Sequence, residues 1–548
     1  MRFLPVNRQA LMVELADLDE TLALLGSLQR DPIEGVQELV PAARTVLVQF
    51  APSQVAAADL VRRIAGRDLG LRTERSDVLV EIPVHYDGED LADVAQLLGI
   101  TPEEVVRRHT GSEYAVAFTG FAPGFAYLSG GDPLFNVPRR STPRTRVPAG
   151  AVALGGTFSA VYPQASPGGW QLIGRTSARM WDLSRELPAL LQPGYRVRFV
   201  DAASLAQADA ATVPEPAVPE PAVPELAVPE PALAPVRPHD GNALCVKATG
   251  LMTLFQDRGR IGQAGQGVSA SGAMDQAAFK AANRLVGNAS DLAVLETVGG
   301  GLSLQSQGET VVAVTGADAP LAITTRSGQR WNVPRYQAVA LADGDLLTVG
   351  QPAAGARCYV AVRGGFAVAP VLGSACTDTL AHVGPAPLAV GQLLPVLPAG
   401  RTAVAAPQLP PESLPVAGQD VVLDVELGPR TDWFTPEAVA LLSAQRWQVT
   451  PQSNRVGLRL AGEQPLARAV AGELPSEGTP LGAIQVPPSG QPVLFLADHP
   501  LTGGYPVIGC VAPHHLDLAG QIPVGAWIRF NPIRAFQEYL PCAEGATN

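Results

Sequence analysis

Four arginines lie within eight residues of the chain, at Arg139, Arg140, Arg144 and Arg146, between prolines that restrict the backbone. Guanidinium groups held by a stiff backbone suit bidentate binding of a carboxylate or a phosphate. A solvated surface turn is the alternative, and the spacing alone does not choose between the two. The segment is therefore either an anion-binding site or an exposed turn.

Glycine-rich segments offer a second kind of anion site, made from backbone N–H groups. Ser166, Gly168 and Gly169 could form an anion-binding nest, although a plain tight turn is the commoner structure for such a sequence. The longer run Gly259–Gly272 contains no GxxxxGK[ST] phosphate loop and leads to Asp275, which can cap a helix. A loop entering a helix N-terminus can bind an anion. A loop that flexes over a site and an ordinary connector are comparable alternatives.

Motifs for a strong nucleophile or a zinc site are missing from the sequence. It has no GxSxG elbow, no HExxH and no His/Cys cluster at metal-ligand spacing. His514 and His515 are adjacent rather than one helical turn apart, which favours a surface turn over a ligand pair. The remaining polar groups are arginines, carboxylates, amides and backbone N–H groups. Such a set binds and polarises an oxyanion or a phosphoryl group.

The composition indicates a globular protein of three or four folding units. The chain has 548 residues, 47% hydrophobic and 16% charged, with a net charge of -12. The negative charge opposes binding to nucleic acid. Residues 1–14 lack the apolar core of a signal peptide, and no stretch approaches the ~20 apolar residues that span a bilayer. Five scattered cysteines without a CxxC pair suit a reduced compartment, so we expect a cytoplasmic protein without a membrane partner.

A repetitive segment divides the chain into two halves. Val213–Pro238 repeats a five-residue unit of the Val-Pro-Glu-Pro-Ala type. Its prolines exclude both a helix and a central strand, so we expect a polyproline II spacer with a reach of about 80 Å. A recognition motif for proline-binding domains is the less favoured alternative. The predicted linker comprises residues 206–240.

In the first half, the pattern predicts a strand, helix, strand, strand, helix, strand order over residues 1–84. This order matches a ferredoxin-like unit. Two short helices and then short strands broken by Gly and Pro predict a β-barrel over residues 85–205. The predicted elements of the first unit are Ala10–Glu14, a helix from Asp17 to Arg30, Val36–Val40, Thr45–Phe50, the helix Gln54–Ala65 and Val78–Pro83.

The second half is predicted to be almost entirely β. A first strand, Ala243–Thr249, is followed by the helix Gln276–Val286 and then by short strands with Gly and Asp turns. A second series of strands begins after residue 415. We therefore expect two barrel lobes, 241–415 and 416–548, and a mainly β fold with α+β parts.

Three motifs of the first half carry a family resemblance. FTGFAPGFAYL (Phe118–Leu128), PRRSTPRTRVPAGAVAL (Pro138–Leu154) and YPQASPGGWQLIGRT (Tyr162–Thr176) resemble the family of the 5-oxoprolinase B subunit. That family is also described as sporulation-kinase inhibitors and as allophanate hydrolase subunit 1. The resemblance covers residues 1–205 and implies a ferredoxin-like part followed by a cyclophilin-like β-barrel. His109 matches the family pattern, and a helix C-cap interaction is its other explanation.

The second half resembles the family of the 5-oxoprolinase C subunit, which also contains the carboxyltransferase domain of urea carboxylase. The motifs are DRGR, GAMDQ, AANRLVGN, NRVGLRL, GAIQVPP and TGGYPVIG, and they cover nearly all of residues 241–548. Two positions depart from the family pattern. Cys376 interrupts a Ser-Thr-Asp run, and His499 stands where arginine is common.

Together the two resemblances imply components of an ATP-dependent 5-oxoprolinase. ATP, with an inferred Mg²⁺, would phosphorylate the amide oxygen of 5-oxoproline, and a separate protein, the 5-oxoprolinase A subunit, would open the ring. An acidic residue could hold the Mg²⁺. The implied catalytic residues are Arg258, Asp275, Asn454, Arg455 and Asp498. The implied substrate- and phosphate-binding residues are His109, Arg139, Arg144, Ser166, Gly168, Gly169, Arg175, Gly316, Asp318, Gly503, Gly504 and Tyr505.

Two other functions remain open at this point. A biotin-dependent carboxyltransferase would need a biotin-carrier lysine and an ATP-grasp carboxylase on partner proteins, since neither lies in this chain. A regulator would bind a sensor histidine kinase through the first half. A homo-oligomer is compatible with all three functions, and the resemblance favours the 5-oxoprolinase component.

Overall fold

The computed structural model describes residues 1–70, 76–140, 142, 144–204 and 241–541, so the predicted linker lies outside the described residues. The fold is mainly β, as predicted. Within the described ranges, no helix has the length and apolar character needed to cross a membrane. The helices are α1 (Leu18–Arg30), α2 (Ala57–Ala65), α3 (Leu91–Leu98), α4 (Pro102–Gly111), α5 (Gln276–Leu285), α6 (Pro436–Ala444) and α7 (Leu516–Gly520), with 3-10 turns at Ala264–Gln266, Thr431–Trp433 and Pro513–His515.

The first half contains a four-stranded and a seven-stranded sheet, with strand orders β1-β2-β4-β3 and β12-β9-β10-β7-β6-β13-β5, and a small β11-β8 pair. The strands are β1 (Arg2–Asn7), β2 (Ala10–Glu14), β3 (Val36–Pro41), β4 (Thr45–Phe50), β5 (Leu79–Val84), β6 (Glu113–Thr119), β7 (Ala126–Ser129), β8 (Arg144–Val147), β9 (Ala151–Gly155), β10 (Phe158–Val161), β11 (Ser166–Gly168), β12 (Gln171–Arg175) and β13 (Arg196–Asp201).

The four-stranded sheet is covered on both faces, which explains why β1, β2 and β4 are buried along almost their whole length. Side chains alternate between the faces of a strand. Leu11 and Val13 of β2 pack with α1 and α2, whereas Ala10 and Met12 face the second half of the chain. Helix α1 is capped by Asp17, as predicted, but α2 begins at Ala57 without a side-chain cap, three residues later than predicted.

The strand expected to complete the first unit belongs to the other sheet. Strand β5 pairs in parallel with β13, and its Ile82 and Val84 are buried with Val197 and Phe199. The edge of the first sheet is formed instead by β1, which was not predicted. The complete ferredoxin-like strand order is therefore not reproduced in this sheet. Its expected last strand, β5, pairs instead with β13, which is distant in the sequence, and no local sequence signal indicates this pairing.

The second half has a two-sheet lobe followed by a barrel. The strand orders of the two sheets are β20-β19-β22-β17-β14-β24 and β15-β16-β23-β18-β21. The closed barrel has the order β25-β32-β29-β30-β27-β26-β33, and a separate small sheet is formed by β28 and β31. The strands are β14 (Ala243–Thr249), β15 (Met252–Gln256), β16 (Val294–Val298), β17 (Leu302–Gln307), β18 (Thr310–Gly316), β19 (Leu321–Thr324), β20 (Arg330–Val333), β21 (Ala338–Leu341), β22 (Leu346–Val349), β23 (Arg357–Val362), β24 (Leu393–Pro395), β25 (Asp420–Leu427), β26 (Trp447–Val449), β27 (Gly457–Ala461), β28 (Glu477–Gly478), β29 (Ala483–Gln485), β30 (Val493–Phe495), β31 (Thr502–Gly503), β32 (Val507–Val511) and β33 (Trp527–Arg534).

The two halves pack directly against each other. Leu4 and Leu47 of the first sheet share an apolar cluster with Phe495 and Val507 of the barrel region. At the rim of this contact, the backbone N–H of Tyr539 donates to the carbonyl of Phe3 at 2.9 Å. Apolar burial and backbone pairing together hold the halves in contact.

Ion pairs reinforce the contact between the halves. Arg430 is buried and bridges Glu14 of the first half, at 2.8 Å, and Glu477 of the second. Arg2 pairs with Glu14 and Glu538, each at 2.6 Å. Because Arg430 is removed from water, its two carboxylates offset a desolvation cost that would otherwise oppose the contact.

Candidate functional site

A buried group of charged side chains joins the two lobes of the second half, and it contains three of the predicted catalytic residues. We call Asp275, Glu296, Tyr359, Arg455 and Asp498 the lobe network. Arg455 is 1% exposed and donates from Nε and Nη2 to Asp498, at 3.0 and 2.9 Å. Its Nη1 binds Glu296. The network is therefore buried, and Arg455 supplies the cation for two of its three carboxylates.

Asp498 also ties two loops of the second half to the barrel. It accepts hydrogen bonds from Ser271 Oγ at 2.6 Å and from Thr379, through Oγ1 at 2.7 Å and N at 2.9 Å. Burial acts to raise the pKa of Asp498, but the attraction of Arg455 outweighs it and holds the pKa below the usual value. The carboxylate is thus ionised and fully used by the protein.

Asp275 lies at the other end of the lobe network. Its Oδ1 accepts from the N–H of Ala278, which confirms the predicted cap of α5, and Oδ2 accepts from Gln521 Nε2, both at 2.8 Å. Its backbone N–H donates to Tyr359, whose hydroxyl donates to Glu296 at 2.9 Å. Burial raises the pKa of Asp275 to about 6. The carboxyl group therefore titrates near neutrality.

A pocket of about 370 Å³ opens beside the lobe network, between the two lobes. Its walls are mostly apolar, and its polar side chains are Glu296, Arg357, Ser453, Asn454 and Arg455. Apolar walls with a few convergent polar groups are typical of small-ligand sites. Asn454 is exposed at the rim, where its Oδ1 accepts from the N–H of Val456 at 2.9 Å. We call this cavity the lobe pocket.

The remaining predicted residues of the lobes lie outside the network. Arg258 is exposed on the glycine-rich loop and makes none of the network's hydrogen bonds. The loop containing Gly316 and Asp318 is held by Arg335, which donates to the Gly316 carbonyl at 3.1 Å and pairs with Asp318 at 2.5 Å. The N–H of Gly316 donates to Tyr336 Oη at 3.1 Å. That amide, predicted to bind an anion, is therefore already occupied.

A second site lies where the halves meet, and it brings together predicted residues from both. We define the junction site as Arg139, Ser476 and Gly503–Tyr505. Arg139 Nη2 donates to Ser476 Oγ at 3.2 Å. Gly504 lies so close to this arginine that an added Cβ would be 2.1 Å from Arg139 Nη1. Arg139 therefore reaches across the boundary to the backbone of the TGGY motif.

The glycine-rich loop Gly259–Gly272 packs against the first half. Glu38 Oε1 accepts from the N–H groups of Gly262 and Ala264, each at 3.2 Å. The N–H of Gly124 donates to the Gln266 carbonyl at 3.1 Å. Part of the predicted anion-binding loop thus binds a carboxylate of the protein itself, and its contact with the GFAPG motif joins the halves.

The arginine-rich segment also binds protein carboxylates. Arg140 Nη1 lies 2.6 Å from Asp90 Oδ1, and the fork of Arg144 spans both oxygens of Asp90 at 2.8 and 2.9 Å. The N–H of Leu172 donates to Asp90 Oδ2 at 2.7 Å. Burial acts to raise the pKa of Asp90, but Arg144 lowers it below the usual value. Arg144 is therefore a structural cation rather than a free anion receptor.

Arg139 and Arg140 line a second cavity, of about 460 Å³, which we call the arginine pocket. Thr142, Gln171 and Asp93 also line it. Nε of Arg140 and Oε1 of Gln171 are buried without a hydrogen-bond partner among the described residues. The free donor Arg140 Nε and the acidic Asp93 at one cavity fit a phosphate oxygen and a Mg²⁺ ligand better than the lobe network, whose carboxylates are already hydrogen-bonded within the protein.

Four predicted residues of the first half are not arranged as an anion site. His109 is fully buried between Tyr86 Oη at 2.7 Å and Ser159 Oγ at 2.9 Å, and burial lowers its pKa to about 3. It is a neutral core residue. Ser166 and Gly168 lie in the extended strand β11 rather than in a nest, because β8 pairs with it. Arg175 is 72% exposed and pairs with Asp87 at 2.8 Å.

Gly169 lies just after β11, and its carbonyl accepts from the N–H of Arg140 at 2.7 Å. The residue therefore anchors the arginine-rich segment through its backbone. A carbonyl oxygen repels an anion, so this contact does not support the predicted phosphate role.

Family models match both halves of the chain. A model described as carboxyltransferase domain, subdomain C and D, matches residues 1–191, and one described as carboxyltransferase domain, subdomain A and B, matches residues 266–532. The 5-oxoprolinase B subunit of Escherichia coli O157:H7 is 42% identical over 169 residues, which are 30% of this chain and 78% of the relative. The 5-oxoprolinase C subunit of Escherichia coli K12 is 34% identical over 285 residues, 51% of this chain and 88% of the relative.

The chain belongs to the family of the B and C subunits of 5-oxoprolinase. The crystal structure of TTHA0988 is similar over both halves, with 35% identity, a TM-score of 0.77, and coverage of 95% of this chain and 99% of that one. Urea amidolyase of Saccharomyces cerevisiae is 33% identical over 314 residues, 54% of this chain but only 17% of that longer protein.

In the second half, which matches the C subunit, the two departures from the family pattern are buried. Cys376 is buried, and burial raises the pKa of its thiol. His499 is buried too, with Nδ1 3.0 Å from the carbonyl of Pro500, and burial lowers its pKa. A neutral histidine therefore replaces the permanent charge that an arginine would place there.

Sequence reasoning missed three residues that complete these sites. Glu296 and Tyr359 lie inside apolar strands of the second half. The available sequence signal was Glu296 itself, because an acidic residue within the apolar run Val294–Val298 indicates that it is buried with a partner. In the first half, which matches the B subunit, Asp90 precedes helix α3 and was not among the predicted site residues. Its side chain makes no cap hydrogen bond and binds arginines instead.

Proposed function

We propose that this chain is the component of an ATP-dependent 5-oxoprolinase that binds 5-oxo-L-proline and activates it by phosphorylation. A separate protein, the 5-oxoprolinase A subunit, would complete hydrolysis to L-glutamate, ADP and phosphate. The supporting observation is that relatives named as the B and C subunits match the two halves of a single chain. In the structure these halves share a buried contact and the junction site.

The chemistry requires a protein that positions two anions and stabilises developing charge. In the proposed step, the lactam oxygen forms a bond to the γ-phosphorus of ATP while the bond to the bridging oxygen breaks and ADP leaves. Water then adds at the activated carbon, the ring C–N bond breaks, and phosphate departs. Such phosphoryl transfer depends mainly on positioning and on electrostatic stabilisation.

We propose that the junction site and the adjoining arginine pocket bind phosphate groups. Arg139 lines the arginine pocket and also lies against the backbone of the TGGY motif, so its guanidinium can bind phosphate at the arginine pocket and at the junction site. Asp93 is the candidate Mg²⁺ ligand, since it lines the same cavity. ATP and Mg²⁺ would supply the phosphoryl group and neutralise its charge.

The lobe pocket is the proposed position of the lactam acid. It has the size for a small molecule, and Arg357, Glu296 and Asn454 offer polar groups toward it. Asp275, Arg455 and Asp498 would not touch the substrate but would hold the pocket-lining groups in position. Arg258, on the adjacent glycine-rich loop, remains a proposed exposed contact.

A biotin-dependent carboxyltransferase is the second candidate, since both family models carry the carboxyltransferase description and urea amidolyase matches half of the chain. It would require partners that carry biotin and its carboxylase. Streptavidin capture of a biotinylated protein bound to this chain would favour it. The cytoplasmic location, a homo-oligomeric assembly, the cyclophilin-like assignment of the second unit and the unit boundaries stay proposals.

The decisive assay measures phosphate release by the purified chain together with the A subunit, in the presence of both ATP and 5-oxoproline. Arg139→Met should lower the rate roughly tenfold to a hundredfold, because a charged hydrogen-bond donor to phosphate is lost. Arg326→Met, which removes an exposed arginine of a surface hairpin, is the matched control. A preparation that leaves 5-oxoproline unchanged and consumes no ATP would overturn the proposal.

A further inference from the structure

Arg260, on the glycine-rich loop of the second half, is a buried cation that makes no direct ion pair with a described carboxylate. Its residue exposure is 2%, and Nε and Nη1 are both buried without a hydrogen-bond partner among the described residues. Only Nη2 is used, by the carbonyl of Cys376. Within the described ranges, no carboxylate oxygen lies within 4.0 Å of the guanidinium.

Other buried arginines of the structure are all paired. Arg455 binds Asp498 and Glu296, and Arg430 binds Glu14 and Glu477. A buried charge without a partner costs several kcal/mol, so folds rarely retain one without a use. The difference makes Arg260 the exception among the buried arginines of the described chain.

The surroundings of Arg260 leave further polar capacity unused. Asp378, the nearby acidic residue, accepts from the N–H groups of Leu380 and Ala381 and from Ser269 Oγ at 3.1 Å. Gln256 donates to the carbonyl of Thr377, next to Cys376, and its Oε1 has no partner among the described residues. Two free donors and one free acceptor thus lie against the same loop.

The backbone around this place is strained. Ser271, Leu372 and His382 all have φ between 52° and 53°, the left-handed region that side chains other than glycine rarely adopt. They lie on the two loops that enclose Arg260. Strain of this kind persists where surrounding structure enforces it, often at binding sites.

We infer that Arg260 is the receptor for an oxyanion, which its Nε and Nη1 bind in the manner of a fork. The site lies between the glycine-rich loop and residues 374–384, where Arg260 Nη2 binds the carbonyl of Cys376. The inference rests on the proposed function, which supplies two oxyanions: the carboxylate of 5-oxoproline and a phosphate. Both have the planar or tetrahedral oxygen pairs that a guanidinium binds.

Calorimetric titration of the full chain with 5-oxoproline and, separately, with inorganic phosphate tests the inference. At least one should bind, and the anion whose binding depends on Arg260 is the one that this site receives. Arg260→Met should weaken that binding at least about tenfold, the effect of losing a charged hydrogen bond. The control Arg326→Met should bind as the unchanged chain does. Equal binding by Arg260→Met, or binding of neither anion by the unchanged chain, would overturn the inference.

Thermal melting separates a binding role from a structural one. Without an anion, Arg260→Met should melt no lower than the unchanged chain, since it removes an unpaired buried charge. A lower melting temperature would indicate a structural cation and count against the inference. As a second variant, Arg260→Lys keeps the charge without the fork and should show weaker binding at an unchanged melting temperature. Neither measurement needs a second protein or turnover, so a failed 5-oxoprolinase assay remains distinguishable from a failed anion site.

Discussion

Arg455 joins three segments that are distant in the sequence. It binds Asp498 and Glu296 and also donates to the carbonyl of Gly272 at 2.7 Å. Arg455→Met would leave two buried carboxylates without their cation. We expect a loss of about 3–5 kcal/mol in the free energy of unfolding. Urea denaturation measures it, and Arg326→Met should be within about 0.5 kcal/mol of the unchanged chain. A small effect of Arg455→Met would show that the pairs do not hold the lobes.

Asp275 gives the protein a pH-dependent stability. Its folded pKa of about 6 lies above the usual 3.8, so the folded state binds the proton more tightly than the unfolded state. This contribution is complete below pH ~4 and is lost as the pH rises through 6. Asp275→Asn keeps the cap oxygen and cannot ionise. Relative to the unchanged chain, the variant should gain in melting temperature between about pH 5 and 7. A constant difference over that range would contradict the raised pKa.

At the residue scale, the sequence predicted which side chains belong to the lobe network better than it predicted which partners they bind. Asp275 is the helix cap that its position predicted, and Arg455 and Asp498 do lie together. Their pairing in a closed network could not be predicted, because Glu296 comes from a strand more than 150 residues away. The burial of His109 could not be predicted for the same reason, since it depends on distant rings such as Phe199.

At the scale of loops and strands, the junction site depends on a glycine. An alanine Cβ at Gly504 would displace the guanidinium of Arg139, whose flexible end can move without disturbing the fold. Gly504→Ala should therefore melt like the unchanged chain but release phosphate roughly tenfold to a hundredfold more slowly, since a catalytic group is misplaced. Gly111→Ala, where an added Cβ meets nothing within 4 Å, is the control. Unchanged phosphate release would remove this contact from the reaction.

Local patterns predicted the strands well and their partners poorly. Strands β2, β4 and β14 have the predicted bounds, because alternation and turn residues are local signals. Strand β5 was found but assigned to the wrong sheet, and β1 was missed. Sheet membership depends on which distant strand offers the matching apolar face, and a single sequence does not contain that information.

For the whole molecule, the contact between the halves should not depend on the linker. Co-expressed chains 1–204 and 241–548 should elute as one complex in size-exclusion chromatography, because apolar burial and Arg430 hold them together. Arg430→Met in the second chain should weaken the complex at least about tenfold, since Glu14 and Glu477 lose their shared cation. Arg326→Met should leave it intact. Separate elution of the unchanged chains would mean that the tether itself maintains the contact.

The pairing of Phe3 with Tyr539 has a further consequence for how the polypeptide can be connected. Residues near the two ends of the described chain are neighbours in space, while the proline-rich segment provides a separate covalent route between the halves. A circular permutant that joins these ends by a short glycine–serine peptide, and opens inside the proline-rich segment, reverses the order of the halves along the gene. It should retain the same fold, since every contact between the halves is preserved.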